Sequence, residues 1–376
     1  MSVAESTGRA LAVVDVGAVE RNCRSLKERV GEGTELCAVV KANGYGHGAA
    51  ACAAGALRGG ATRLAVAAAE EAAELRLHFP DAPLFVMGAL TEGELGTALA
   101  ARADVAVWRE GFRELCSSLA GERGQPARVH VKLDSGMGRL GERDPDALVE
   151  LARRCASDPN LEVAGVWTHF ATADEAGDDF LGVQLAAFRP VAEAVREVAP
   201  ECVVHAANSA ATLRDPETHF DMVRCGIAIY GLDPFHRDPT GHDLDPALEL
   251  RSYVADVKRF ERGASAGYGR TWRAPADTWV GVLPIGYGDG VRRGLSNNAD
   301  VLVGRRRYPL VGTISMDNIT IDLGPETDVE PGAPAVLIGP QGSDRILAEE
   351  VAARLETINY EVTCGISQRV PREFRE

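Results

Sequence analysis

The chain has 376 residues, of which 45% are hydrophobic and 25% charged, and its formal net charge is -15. That length accommodates two domains, or one large α/β barrel with an addition, and the composition is that of an ordinary soluble globular protein. The acidic balance excludes nucleic acid and anionic membranes as natural partners, because both reward basic surfaces.

Segment 1–9 is polar and lacks the apolar stretch of a secretory signal, and Arg, Glu or Gly breaks every Ala-rich stretch before it is long enough to span a bilayer. Residues 11–14 read as a strand, and Asp15 is placed to cap the helix that follows, with Val19, Leu26 and Val30 on one face. β-rich runs then recur at 36–41, 64–67, 84–87, 105–108, 129–133, 163–168, 203–206 and 222–225. Helical periodicity fills the gaps, as in Ala147, Leu148 and Leu151 before Cys155, and again over 180–198. Eight strands alternating with helices predict right-handed βαβ units closing into a (β/α)8 TIM-type barrel over 16–240, with an open doubly wound sheet as the alternative on pattern alone.

After Leu232 the texture changes. The stretch 234–246 is turn-rich, and β-like runs follow at 252–260, 279–285, 301–303, 314–323 and 335–338, interrupted by one helix at 348–355. The division is therefore an N-terminal segment 1–10, a leading strand 11–15, the barrel 16–240 and a mainly-β domain 241–376. Eight cysteines are scattered without a CxxC spacing; they read as buried thiols in a reducing cytoplasm, with neither a disulfide frame nor a metal site.

Barrel enzymes place their chemistry at the C-terminal ends of the strands. Here those ends carry Lys41 through Gly48, Lys132 through Arg139, Thr168-His169-Phe170, His205 through Ser209, and Arg224 through Ile227. Apolar Ala38-Val39-Val40 sets Lys41 at the edge of a low-dielectric core, where desolvation lowers an ammonium pKa and favours an imine-forming amine. Asn208-Ser209 and Gly226-Ile227 read either as a cap and a turn or as a phosphate site built from backbone N–H groups and helix N-termini, to which Tyr45 adds a hydroxyl. A phosphate site beside an amine suits pyridoxal phosphate as readily as a sugar phosphate. Arg139 reads equally as a surface residue or an anion clamp, and His169 as a structural or a functional imidazole. Tyr268 and Met316, taken alone, pass for turn residues.

The string Ala38 through Gly48 resembles the pyridoxal-phosphate attachment signature of the bacterial alanine racemases. The resemblance continues in the family's order through 132–139, 169–174, 205–210, 224–232, 267–268, 284–290, 312–317 and 359–360, and so spans nearly the whole chain. It implies a barrel followed by a β domain that the leading strand joins, with L- and D-alanine as substrates. Lys41 would hold pyridoxal 5'-phosphate as an aldimine. Tyr45, Ser209 and the N–H groups of Gly226 and Ile227 would bind its phosphate, with further contacts from Asn208, His169 and Tyr360. Arg224 would face the pyridine nitrogen. Arg139 would touch the cofactor's phenolic oxygen and the substrate carboxylate, positioned by Lys132, a residue often carbamylated in the family. Tyr268 and Met316 would enter from the partner of a head-to-tail homodimer, Tyr360 and Tyr287 would line the entrance, and Asp174 and Arg293 would lie farther out.

The resemblance implies catalysis by two bases, Lys41 on one face of the α-carbon and Tyr268 on the other, with His169 and Arg224 lowering the phenol from its ordinary pKa of about 10. Departures are small: Ser135, Cys225 and Ser315 stand where Thr, Pro or Phe, and Cys are common. A broad-specificity or serine racemase is disfavoured by the bulk of Tyr360, amino-acid decarboxylation by the contexts of Lys41 and Tyr268, and a non-catalytic cofactor carrier by the β domain itself. The expected role is supply of D-alanine for peptidoglycan.

Overall fold

A computed structural model describes residues 8–376; most of the polar segment 1–10 lies outside the described residues. Eight parallel strands form a closed barrel: Glu35–Val39, Arg63–Val66, Leu84–Val86, Ala103–Val107, Ala127–Lys132, Leu161–Trp167, Val203–His205 and Met222–Cys225. The last pairs with the first, Glu35 opposite Met222 through Ala38 opposite Cys225, which rules out the open sheet. The strands are near-continuously buried because helices cover their outer faces while side chains fill the interior. The first strand stops at Val39, so Lys41 stands on the turn beyond it.

Asp15 caps the helix Val16–Val30, accepting the Ala18 N–H at 2.9 Å. The helix Pro145–Ser157 buries Leu148, Val149, Leu151, Ala152 and Cys155, whereas Ala147, expected on that face, is exposed. The expected helix appears as Phe180–Val198 and continues through Pro190.

The remainder is mainly β. One sheet runs in the order Arg306–Pro309, Asp300–Val303, Pro334–Gln341, Leu248–Tyr253, Leu11–Asp15 and Arg372–Arg375, with Asp344–Ile346 attached to Pro334–Gln341. The leading strand Leu11–Asp15 thus lies inside it, antiparallel to Leu248–Tyr253 and parallel to Arg372–Arg375. A second sheet holds Asp256–Phe260, Thr278–Leu283 and Ile319–Gly324. The run expected at 252–260 is therefore two strands in two sheets, parted at Val254 and Ala255, and residues 314–318 of the run 314–323 form a turn. The helix Asn359–Cys364 and the strands Arg306–Pro309, Asp344–Ile346 and Arg372–Arg375 were not expected. Most buried apolar side chains from Ala10 to Val370 form one contiguous core through both parts of the chain, and Leu302, Val336 and Ile346 form a small second cluster.

Candidate active site

At the C-terminal ends of the barrel strands opens a cavity of about 470 Å3. One corner is built from backbone. Asn208 caps the helix Ser209–Arg214 by accepting the Ala211 N–H at 2.9 Å, and Ser209 opens that helix. The Ser209 Oγ accepts the N–H groups of Gly226 at 3.0 Å and Ala228 at 3.3 Å, which ties this helix start to the short 3-10 helix Ile227–Tyr230. Two helix starts thus converge, each presenting N–H groups without an acceptor of their own helix. A Cβ on Gly226 would lie 2.4 Å from the Tyr45 Oη, so only glycine leaves that hydroxyl its place in the corner.

Lys41 and Tyr45 are held by an uncommon backbone. Ala42, Asn43, Gly44 and Tyr45 all have positive φ, between 51° and 62°, making one left-handed turn directly after the first barrel strand. Such a conformation costs about 1–2 kcal/mol for each residue with a side chain, and it concentrates where a site demands it. The Asn43 Oδ1 secures the exit of the turn by accepting the Ala49 N–H at 3.0 Å. Tyr45 is buried against Tyr230, with ring centroids 5.2 Å apart, and burial pushes its phenol above the ordinary value, leaving a neutral hydroxyl that can donate. The Lys41 Nζ lies 5.9 Å from the centre of the Tyr45 ring, and burial, then the nearby Arg139, lowers its pKa.

Arg224 is buried beneath the cavity. Its Nη2 donates to the carbonyls of Thr168 and Ala206, both at 2.9 Å, and lies 3.1 Å from the His169 Nδ1, while its Nη1 lies 2.9 Å from the His205 Nδ1. Burial lowers the guanidinium only to about 10, so it remains a cation at neutral pH. His169 is held well below its usual value by burial and then by Arg224, and stays a neutral imidazole. The Trp167 ring lies under both Arg224, at 4.9 Å, and Lys132, at 4.2 Å. Lys132 is pushed down to about 7 by burial and then by Arg224 and Arg139. The loop to Arg139 is shaped by the Asp134 Oδ1, which accepts the N–H groups of Gly136 and Gly138. Arg139 itself is exposed at the cavity wall and has no ion pair among the described residues.

The cavity thus brings together Lys41, Tyr45, Lys132, Arg139, His169, Asn208, Ser209, Arg224, Gly226, Ile227 and Tyr360. Tyr268 and Met316 are not among its walls; they stand on the β part of the chain, 73% and 50% exposed. Tyr287 is likewise outside it and exposed. Sequence reasoning missed Trp167, Met87 and Cys364. Trp167 and Met87 end barrel strands or lie just past them, which was the available signal. Cys364 corrects the expectation of buried thiols: seven cysteines are buried, but this one is exposed and lines the cavity. The walls carry four basic side chains, Lys41, Lys132, Arg139 and Arg224, and not one carboxylate. Such a site is built for an anionic ligand, with an amine of lowered pKa beside it.

Comparison with known proteins gives one family for both parts of the chain. Residues 14–234 match the family model of the alanine racemase N-terminal domain, and residues 247–374 match that of the C-terminal domain. The chain is 42% identical to the alanine racemase of Symbiobacterium thermophilum, over 96% of each chain. It is also 42% identical to that of Geobacillus kaustophilus, over 96% of this chain and 93% of the relative. The solved alanine racemase of a D-cycloserine-producing Streptomyces lavendulae superimposes with a TM-score of 0.94 at 37% identity, covering 99% and 98% of the two chains.

Proposed function

The chain belongs to the alanine racemase family, and we propose that it interconverts L- and D-alanine by a two-base mechanism, with pyridoxal phosphate seated in the barrel cavity. The observation that carries this reading is a wall of two arginines and two lysines of lowered pKa without a carboxylate, in which Arg139 and the helix starts suit anionic groups and the lysines supply reactive amines. Tyr45, Ser209 and the N–H groups of Gly226 and Ile227 would hold the phosphate, with Asn208, His169 and Tyr360 around the ring. Lys41 would anchor the cofactor covalently through Nζ. When bound, the cofactor supplies an electrophilic ring that acidifies the α-hydrogen of the amino acid attached to it.

The chain's own residues divide the remaining work. Arg224, still a cation, would face the ring nitrogen and keep its own proton there, and so would restrain side reactions such as transamination. Arg139 would orient the substrate carboxylate together with the partner subunit's Met316, while Lys132, whose lowered pKa leaves a reactive neutral amine, is the residue fitted to take up carbon dioxide as a carbamate near Arg139. Lys41 moves the proton on one face of the α-carbon. Tyr268 of the same chain cannot serve the other face, because it stands exposed outside the cavity. A head-to-tail homodimer supplies it, the partner subunit's Tyr268 meeting His169. The Nδ1 of His169 lies against Arg224, which leaves Nε2–H to stabilise a phenolate.

Among the described residues no helix is long and apolar enough to cross a membrane. The eight free cysteines suit a reducing cytoplasm, and family membership is what supports a role in making D-alanine for peptidoglycan.

The test is loss of optical activity from L- and from D-alanine, followed by circular dichroism on cofactor-loaded protein. Both are expected to reach the racemic mixture. Tyr268→Phe should lower racemisation at least about 100-fold in both directions, since the equilibrium constant is about one, while solvent exchange of the α-hydrogen survives for one enantiomer. Racemisation by Tyr268→Phe at the parent rate would refute the two-base reading.

A further inference from the structure

Behind Arg224 a line of polar side chains crosses the barrel core. The His205 Nε2 lies 2.8 Å from the His130 Nδ1, and the His130 Nε2 lies 3.1 Å from the Asp104 Oδ2. Asp104 is the second residue of its strand, at the end of the barrel away from the cavity, and it is held there by Arg63 at 2.7 Å and Arg128 at 3.1 Å. Asp104, His130, His205 and Arg224 are all buried.

The site around the two imidazoles is built for them. A Cβ on Gly165 would lie 2.2 Å from the His130 Nδ1, so the contact with His205 exists only because residue 165 has no side chain. Phe85 stacks on His130 at 4.4 Å and meets His205 edge-on at 5.6 Å, while Trp167, a wall of the cavity, stacks on His205 at 5.6 Å. Burial holds both imidazoles below their usual pKa, so each is neutral and has one N–H and one lone pair.

A neutral chain of this kind has one direction. An ionised Asp104 only accepts, so the His130 Nε2 carries the proton and its Nδ1 accepts. The His205 Nε2 must then donate to it, which leaves the His205 Nδ1 as the acceptor for the Nη1–H of Arg224. The opposite tautomers would set N–H against N–H at Arg224. We propose that Asp104 is a positioning residue for racemisation: through His130 and His205 it decides which ring nitrogens carry protons, and so fixes the guanidinium of Arg224 in its donating pose toward the cofactor ring. The proposal rests on the reading that Arg224 faces that ring.

Neutron diffraction from crystals of the cofactor-loaded enzyme reads the protons directly. Deuterons are expected on Nε2 of both His130 and His205 and on neither Nδ1; a deuteron on either Nδ1 overturns the proposal. In solution, Asp104→Asn should lower kcat about tenfold or more with the alanine KM nearly constant, and should shift the absorbance of the lysine-bound cofactor, as loss of an outer-shell partner does elsewhere. Asp104→Glu should recover most of both. A lower melting temperature with kcat and absorbance unchanged would mean a purely structural role and overturn the proposal. If Asp104→Asn does not fold, the deuteron positions decide. A parent enzyme that shows no lysine-bound cofactor absorbance after reconstitution overturns the cofactor reading, and this proposal with it, wherever the deuterons lie.

Discussion

Lys132 is 3% exposed, surrounded by Arg224 and Arg139, and has no carboxylate within ion-pairing distance among the described residues. Its pKa falls from 10.5 in the unfolded chain to about 7 in the folded one. Between these values the unfolded chain binds a proton that the native state does not, so this residue makes stability rise with pH across that window. Below about pH 7 both states are protonated and the whole cost of a buried ammonium is present. Without carbon dioxide to modify the amine, Lys132→Met should therefore stabilise the cofactor-free protein at pH 6.5 by about 2–4 kcal/mol. The gain should fade towards pH 10, and thermal melts across that range measure it. A gain that does not change with pH would mean that packing, and not charge, is what Lys132 opposes. The same residue shows how far sequence could reach. Its position at a strand end was legible, but its isolation from acids depends on which loops fold over it, and only the barrel's closure decides that.

At the scale of elements, the turn Ala42 to Tyr45 separates local preference from global demand. Ala42 is exposed and has φ of 51°, a conformation in which its Cβ is a liability and glycine is at ease. Ala42→Gly should thus leave stability unchanged or raise it by up to about 1 kcal/mol, whereas Ala187→Gly, on the exposed side of the helix Phe180–Val198, should lower it by about 1 kcal/mol. Urea unfolding of the two variants makes the comparison, and equal losses would show that the turn carries no strain. The turn was not legible: glycines at 44, 46 and 48 announce freedom but not handedness. The barrel strands were legible because burial on both faces leaves short, nearly unbroken apolar runs. The β part was read less well. Leu248–Tyr253 alternates buried and half-buried positions, and that alternation does not reveal where the chain leaves one sheet for another at Val254. Asn359–Cys364, which brings Tyr360 and Cys364 to the cavity, is only six residues long, too short for periodicity to register.

For the whole molecule, the separation of Lys41 from Tyr268 has an arithmetic consequence. In the proposed head-to-tail dimer each site takes one residue from each chain, so a dimer of Lys41→Ala with Tyr268→Phe contains one intact site and one doubly impaired site. Mixing the two inactive variants in equal amounts and allowing subunits to exchange should restore about one quarter of the parent activity. Racemisation after mixing, read against each variant alone, checks it; no recovery despite proven exchange would place both bases in one chain. No pattern within one sequence announces such a division. Tyr268 sits in a turn, 73% exposed, and only the resemblance to a family gave it a role.

The leading strand Leu11–Asp15 is gripped on one side by Leu248–Tyr253 and on the other by Arg372–Arg375. During synthesis on the ribosome, the segment that is to become this strand emerges before the whole barrel and waits for partners that emerge after it. The barrel can close in the meantime, since its own strands end at Cys225. The sheet cannot, for its inner strand is made before the barrel and its edge strand after it. The two parts of the molecule are therefore not exchangeable cassettes: a fragment starting after the barrel would present Leu248–Tyr253 as a bare edge, open to pairing with strands of other chains.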